Sequence, residues 1–402
     1  MNQPSVAINM PVFNGARTLR RQLESILNQS FTGFQLFITD NASEDETAAI
    51  CRDYQADGRL HYHRNHQNLG VGFSYLKGCY AAAGFDYMIY ASSNDQWEPG
   101  YLEQCARALE ESPDAVLAYS YCRLVDQEGA PVRRQAMADN IYRDSFNLVG
   151  LSPQERFLEI LSKMDLCTSF YGLVRVANLF ANERFLLASA AGGDNLFLNA
   201  LALDGPFIQV PEPLFIREMP AHADQSLVAR RRHFEKINQV RSDHPTFPFF
   251  NHLIATLNIV NGTSLDPESK NDLYGRVVGI LQARSGHHQD EEIRRAVEAV
   301  MQGRLHAGFS GQEAFASSRY KYLDYFTIAD LLTNLERAWG FLDKTLPGLH
   351  LARGICYLSL GRRREAALAL ERELAERVFP YDAYARQLLA KGSLAADGRG
   401  GD

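Results

Sequence analysis

The chain has 402 residues, of which 46% are hydrophobic and 22% charged, and its formal net charge is -7. This length and hydrophobic content allow a full core and two domains, which excludes a wholly disordered chain. The negative charge argues against a nucleic-acid partner, because a phosphate backbone demands a basic face.

Six cysteines are scattered along the chain without any CxxC pair. This spacing argues against a disulfide framework or a structural zinc site, and it favours a reducing compartment. The first strand pattern begins near residue 5, which leaves no room for a signal peptide, and no run reaches the roughly 20 apolar residues of a membrane helix. We therefore expect a cytoplasmic protein. The basic runs at 230–232 and 362–364 are expected on solvated helix faces, with a peripheral membrane contact as the alternative.

The first elements form a strand–helix–strand pattern. Two short apolar runs, 6–10 and 35–39, flank a segment with apolar residues at helical spacing, which predicts a parallel βαβ unit. A right-handed crossover puts the ends of both strands on one sheet edge, so the loops Pro11–Gly15 and Asp40–Asp45 are expected side by side. Open α/β sheets bind ligands at that edge, and a nucleotide is the expected ligand.

Strand and helix patterns continue to alternate as far as about Glu218. The next predicted strands are 60–63, 87–90, 116–121, 170–174 and 207–210. The predicted helices are 18–28, 46–56, 72–82, 100–111, 153–163 and 195–203. This alternation predicts a doubly wound α/β sheet.

Helical patterns take over from about Leu227, which predicts an α-helical domain over 227–391 and a flexible tail over 392–402. Within it, residues 347–380 resemble a tetratricopeptide-type helix pair that ends before Pro380. Its small and aromatic packing positions are Gly354, Tyr357, Gly361, Ala366 and Ala367. One such pair cannot bury its own face. We expect a helical cap on the first domain or on a second copy of the chain, and recognition of an acceptor or a protein partner is the alternative.

Four blocks follow one another over roughly the first half of the chain: MPVFNGARTL, TDNASEDET, NHQNLGVGFSYLKG and DYMIYASSNDQWEPGYL. Their order and spacing resemble the nucleotide-sugar half of a family 2 glycosyltransferase with the GT-A fold. The resemblance implies a Rossmann-like, mostly parallel twisted sheet flanked by helices over 1–226. It also implies an inverting transfer of a sugar from a nucleoside diphosphate, with uridine expected, to a saccharide, lipid-linked or protein hydroxyl.

The resemblance places the base and ribose against the loops at the strand ends. Asp40 ends a buried strand, and its carboxylate can accept a hydrogen bond from a base N–H, as the uracil-reading aspartate of that family does; capping of the next turn is the alternative. The residues expected to line the same pocket through backbone groups are Pro11, Val12 and Asn14. Asn68 and Gly70 in the QNLG turn are expected under the base and ribose, and Asn68 has a simple turn-forming role as its alternative.

The SSND block departs from the Asp-rich metal motif of the family. Divalent Mn²⁺ or Mg²⁺ would neutralise the leaving diphosphate and prefers carboxylate oxygens. Here Asp95 supplies one carboxylate, while Ser93 and Asn94 are assigned to the nucleotide. The predicted metal site is therefore weak and is completed by the diphosphate and His222. The alternatives are a turn role for Asp95 and a solvated loop position for His222.

The acceptor side rests on the segment SAAGGDNLFLNALAL. The resembling family places its catalytic base in an acidic motif at the start of a helix, which here implies Asp194. An inverting transfer needs such a base beside the acceptor hydroxyl and opposite the leaving group. A helix N-cap is the alternative role for Asp194. Arg217, in the closing strand and loop that the resemblance identifies, is expected to pair with phosphate.

Two other classes of protein stay open at this point. A degenerate GT-A protein could act as a binding or scaffold module through its helical domain, which the missing metal carboxylates favour and the intact Asp40 and Asp194 oppose. A nucleotidyltransferase is disfavoured because MPVFNGAR lacks a basic loop rich in glycine. The oligomeric state is open, with a homo-oligomer as one alternative.

Overall fold

The computed structural model describes residues 3–134, 137, 139–187, 192–219, 248–302, 332, 336 and 346–391. The chain divides into two compact units, one of Met1–Ser189 with Gly193–Val240 and one of Ala190–Gly192 with Arg241–Asp402. The predicted domain boundary at 226/227 and the predicted tail over 392–402 lie outside the described residues and stay predictions.

The first unit is an α/β structure. Its strands are β1 Val6–Val12, β2 Phe34–Asp40, β3 Leu60–Arg64, β4 Tyr87–Tyr90, β5 Gln96–Trp97, β6 Leu117–Val125, β7 Ile141–Tyr142, β8 Leu173–Arg175 and β9 Phe207–Glu218. Its helices are α1 Leu19–Leu27, α2 Thr47–Asp53, α3 Val71–Ala81, α4 Tyr101–Glu111, α5 Pro153–Lys163, α6 Val176–Asn182 and α7 Gly193–Asp204. Two 3-10 turns, Thr168–Tyr171 and Glu183–Leu187, lie between them.

These strands of the described residues form one sheet in the order β3-β2-β1-β4-β8-β6-β9-β5, with β7 beside β6. The strands β3, β2, β1 and β4 run parallel, and so do β6 and β9, whereas β8 runs antiparallel between β4 and β6. Alternate β1 residues enter different cores: Ile8 packs with one cluster and Ala7 with the other. Helices therefore cover both faces, and the predicted mostly parallel α/β sheet is confirmed.

Two predicted strands differ from the structure in an instructive way. The segment predicted as strand 170–174 begins as a 3-10 turn, because Cys167 before it has a left-handed backbone, with φ 55°. Strand β9 was expected to end at Val210, where Pro211 and Pro213 interrupt the apolar run. The strand instead continues to Glu218, and a bulge in its pairing with β6 accommodates the prolines.

The second unit is helical. Its described helices are α8 Pro248–Asn261, α9 Pro267–Met301, α10 Leu349–Ser359, α11 Arg363–Glu376 and α12 Tyr381–Ala390. A Cβ on Gly354 would lie 2.8 Å from Leu370, so α10 and α11 pack closely at the small residue that the sequence singled out. The helix pair lies where it was predicted, and its tetratricopeptide assignment stays a prediction. Within the described residues, no helix has both the length and the apolar character that crossing a bilayer requires.

Candidate functional site

The loops after β1 and β2 are hydrogen-bonded to each other. The bonds are Asn14 N to Ser43 Oγ at 2.9 Å, Gly15 N to Thr47 Oγ1 at 2.9 Å and Ala16 N to Asp45 Oδ2 at 3.0 Å. Asn14 has φ 52° and accepts a bond from Glu44 N, which fixes its exposed side chain at the loop tip. The predicted pairing of these two loops is confirmed, and it leaves Pro11 and Asn14 at the edge of the sheet where parallel strands end.

Asp40 is fully buried, and its carboxylate is occupied by its own surroundings. One oxygen accepts a bond from Ser43 N at 2.8 Å, which is the turn-capping role that the sequence left open. The other accepts the Tyr62 hydroxyl at 2.6 Å and lies 3.4 Å from Arg64 Nε. In this geometry the Asp40 carboxylate has no exposed surface with which to contact a nucleotide base. Its direct contact with a base stays a prediction, and its observed effect is to position Tyr62, Arg64 and the Ser43 loop.

Asn41 organises the neighbouring QNLG turn, a role that the sequence analysis missed. Its buried side chain accepts bonds from Leu69 N at 2.8 Å and Asn65 Nδ2 at 3.0 Å, and donates to Asn68 Oδ1 at 2.5 Å. Asn68 also accepts the Gly70 N–H at 2.8 Å, which is the turn-forming role given as its alternative. Gly70 has φ 85°, a backbone region that favours glycine, just before α3 begins.

The SSND loop lies against the first loop. A Cβ on Gly15 would stand 3.3 Å from Ser93 Oγ, so the glycine allows the two loops to approach. The Ser92 hydroxyl donates to the Asn94 side-chain oxygen. Ser93 and Asn94 are half-buried, and their contact with a nucleotide stays a prediction.

Asp95 and Arg217 lie opposite each other where the short strand β5 pairs with β9. Residues 96 and 216 are paired in the antiparallel β5–β9 register, which sets the preceding Asp95 opposite Arg217. Asp95 is buried and accepts the Glu218 N–H at 3.0 Å. Burial raises the pKa of Asp95 to about 6, and the positive charge of Arg217 and the Glu218 hydrogen bond oppose that rise.

The Arg217 side chain is held on two sides. Its guanidinium donates to the Leu166 carbonyl and lies 5.8 Å from the centre of the Tyr171 ring. Glu218, the next residue, is buried and pairs with Arg21 of α1 at 2.7 Å and with Arg17, which lies just before α1. The end of β9 is thereby tied to the start of α1.

Asp194 lies in the first turn of α7, where the positive end of the helix dipole favours a carboxylate. It follows the first helical residue, and its Oδ1 accepts the N–H of Asn195 at 2.9 Å. The Cys167 thiol donates a hydrogen bond to the Asp194 side chain. Burial first, and then the charge of Asp194, raise the pKa of Cys167, which keeps the thiol protonated as a donor. Asp194 is half-buried and so keeps some surface beside Cys167.

A buried network fixes the segment that carries Cys167. Asp144 accepts bonds from the Tyr142 hydroxyl at 3.0 Å and the Thr168 hydroxyl at 3.2 Å, and Tyr142 in turn accepts the Leu166 N–H at 3.3 Å. Cys167 therefore holds its left-handed backbone between two anchored neighbours. The sequence analysis found neither Asp144 nor Cys167, because their role depends on contacts distant in sequence.

The described residues do not fit the predicted divalent-metal site. Among them, no group of three or more His, Cys, Asp or Glu side chains is placed to hold a metal ion. Asp95 brings one carboxylate that already receives a backbone N–H, and the Asn94 oxygen already receives a hydroxyl. His222, the other predicted ligand, lies outside the described residues. Mg²⁺ and Mn²⁺ need several hard oxygen ligands, and this donor set supplies too few.

Comparison with known proteins agrees with this geometry. Residues 7–176 match the family model Glycosyl transferase family 2. A putative glycosyltransferase EpsE of Bacillus subtilis is 34% identical over 110 residues, which cover 27% of this chain and 39% of the relative. Chondroitin synthase of Escherichia coli is 29% identical over 126 residues, which cover 31% of this chain and 18% of the relative. The chain therefore spans well under half the length of these relatives.

A solved structure shares the fold. The crystal structure of S. aureus TarS 1-349 in complex with UDP-GlcNAc matches with a TM-score of 0.52 at 14% identity, covering 93% of this chain and 92% of that one. The matched family region contains both nucleotide loops, Asp40 and the SSND block, whereas Asp194 and Arg217 follow it. Residues 7–176 thus resemble a glycosyl transferase family 2 domain, and the first unit has a GT-A fold.

Proposed function

We propose that the protein is an inverting glycosyltransferase that moves a sugar from a UDP-sugar to a hydroxyl of a saccharide, lipid-linked or protein acceptor. The observation that carries the proposal is the meeting of two sets of groups around Tyr171. Arg217 lies 5.8 Å from the centre of the Tyr171 ring and opposite Asp95 in the β5–β9 register, and Asp194 is hydrogen-bonded to Cys167. Burial raises the pKa of the Tyr171 hydroxyl, and the charges of Arg217, Asp95 and Asp194 act on it as well. A base and a cation beside one aromatic wall are what an in-line transfer needs.

In the proposed step, the acceptor oxygen attacks the anomeric carbon from the face opposite the diphosphate. The bond from that carbon to the diphosphate oxygen breaks as the new glycosidic bond forms, so the configuration inverts. Asp194 takes the proton of the attacking hydroxyl. The Cys167 thiol, through its hydrogen bond, orients the carboxylate, and the Asn195 N–H holds its Oδ1.

The donor nucleotide is assigned to the loops after β1, β2 and β3. Asp40 matches the uracil-reading aspartate of the resembling family, and TarS, which shares the fold, was crystallised with UDP-GlcNAc. Both support UDP as the nucleotide. Asp40 acts by positioning Tyr62 and the Ser43 loop, and Gly70 lets the third loop approach the ribose.

Calorimetry of the full chain against UDP, CDP, GDP and ADP tests the donor class. We expect saturable binding of UDP, weaker binding of CDP and none of the purine nucleotides, because the resembling family reads uracil at the loops that Asp40 positions here. Equal affinity for all four nucleotides, or tighter binding of GDP or ADP, would contradict a uridine donor.

The second candidate is a degenerate GT-A protein that binds a nucleotide and acts as a scaffold through its helical unit. The meagre donor set around Asp95 favours it. Binding of UDP without any release of UDP from a panel of UDP-sugars, with or without acceptors, would support this candidate over the transferase.

A further inference from the structure

We infer that the Arg217 guanidinium, and not a divalent metal, neutralises the diphosphate of the donor in this protein. The inference rests on the proposed function and concerns the same site. It predicts that the nucleotide binds without metal, which departs from the metal motif of the resembling family.

The first step is the state of Asp95, the sole carboxylate of the SSND block. Its Oδ1 holds the Glu218 N–H, and the strand pairing sets it opposite a permanently charged arginine. A metal ion bound at Asp95 would lie close to that guanidinium, and two cations beside one carboxylate repel each other. Arg217 thus supplies the positive charge that a bound metal ion would otherwise bring to this place.

The second step is the placement of Arg217 itself. Its backbone is fixed in β9, its guanidinium donates to the Leu166 carbonyl, and its charge lies against the Tyr171 ring. Within the described part of the chain, the Leu166 bond is the one hydrogen bond that this side chain makes. A guanidinium has five N–H donors in a planar fork that matches phosphate oxygens, so several donors remain for a ligand.

The other arginines near the loops after β1 and β2 already have partners within the protein. Arg17 and Arg21 are paired with Glu218, and Arg64 lies against Asp40 and the Ser43 carbonyl. Among the described arginines beside these loops, Arg217 alone lies between the donor side and the Leu166–Asp194 side without a contact ion pair. It is the cation best placed to meet a diphosphate there.

Calorimetry with UDP tests this inference. The full chain should bind UDP with the same Kd in EDTA and in Mn²⁺. Arg217→Met, which keeps bulk and removes charge, should weaken UDP binding by about 10- to 100-fold. It should leave the affinity for uridine unchanged, because uridine carries no phosphate, and Mn²⁺ should not restore UDP binding. Arg217→Lys should retain part of the affinity, since it keeps a point charge but loses the fork.

Arg123→Met is the matched control. Arg123 lies on the adjoining strand β6 and pairs with Glu98, so its replacement should leave UDP binding unchanged. Circular dichroism melts would show whether the Arg217 variants fold. If neither folds, the comparison of EDTA with Mn²⁺ on the parent chain decides alone. A parent chain that binds UDP only with Mn²⁺ would overturn the inference and leave the transferase proposal standing. Absence of UDP binding in both conditions would overturn the two together.

Discussion

At the scale of single residues, the proposed base owes its position to its neighbours. Gly193 starts α7 so close to the preceding turn that a Cβ would lie 2.9 Å from the Leu186 carbonyl. Cys167 then meets Asp194 from a left-handed backbone position. The sequence alone predicts a carboxylate in the first turn of a helix that begins at a glycine. The thiol beside it could not be predicted, because its position depends on the Tyr142–Asp144 network.

The first prediction concerns Asp194→Asn. Asn keeps the size and the hydrogen bond to Asn195, so thermal stability and UDP affinity should stay near parent values. Transfer should fall by about 10²–10⁴-fold, the usual contribution of a positioned base. Measured turnover of UDP-sugar with parent-like melting and binding would support the role. Retained transfer would place the base elsewhere, with Glu183 the next residue to test, since Asp165 is exposed and paired with Arg134.

The second prediction separates two roles of Asp40. Tyr62→Phe removes the hydroxyl that donates to the buried carboxylate, so it should destabilise the fold by about 1–2 kcal/mol. UDP affinity should fall with it, because the loop position depends on that bond. Urea unfolding and calorimetry would measure both quantities. If Tyr62→Phe leaves UDP affinity intact while Asp40→Asn abolishes it, Asp40 contacts the base directly.

At the scale of elements, the alternation of strands and helices was predictable because apolar periodicity is local. Strand β4 and helix α5 were predicted with the same bounds as the structure shows. The second half of β9 was not, because Pro211 and Pro213 suggest an end and only the pairing with β5 and β6 shows that the strand resumes. That half carries Arg217, which the sequence analysis named from the family resemblance, and Glu218, which it missed.

The third prediction concerns the link between β9 and α1. Glu218→Gln removes a buried negative charge that pairs with Arg17 and Arg21, so the unfolding free energy should fall by about 1–2 kcal/mol. Asp53→Asn is the control, because its pair with Arg20 is exposed on both sides and should contribute little. Urea denaturation of both variants compares them. Equal small effects would show that the Glu218 link does not stabilise the fold.

The fourth prediction concerns α10 and pH. Burial first, and then the charges of Arg353 and Arg372, lower the pKa of His350 to about 4, while its Nε2 lies 3.2 Å from Glu376. Between the ordinary pKa of about 6.5 and that value, the unfolded chain binds a proton that the folded chain excludes. Stability should therefore fall as the pH falls from 6.5 to 4, by about 2 kcal/mol from this group. In urea unfolding, the His350→Gln variant should lose less stability than the parent over this pH range, by that amount. Identical pH profiles of the two proteins would contradict the assignment of the pH dependence to His350.

At the scale of the whole molecule, composition and pattern predicted an α/β unit followed by a helical one. The structure has both, and it shows that the helical patterns of the second unit include one helix of 35 residues, Pro267–Met301. The predicted weak metal site stays a prediction, because the described residues supply only Asp95 as a carboxylate and His222 lies outside them. A motif predicts which side chains follow a strand, whereas the sheet register decides that Asp95 meets Arg217.

The central claim is that the chain inverts configuration at an anomeric carbon taken from a UDP-sugar. Proton NMR of acceptor-free hydrolysis tests it most directly, with α-linked UDP-sugars such as UDP-GlcNAc and water as the attacking hydroxyl. We predict that the β-anomer of the sugar appears first and converts to the equilibrium mixture later, in EDTA as well as in Mn²⁺. First appearance of the α-anomer would contradict inversion, and intact donors across a broad UDP-sugar panel would contradict the transferase.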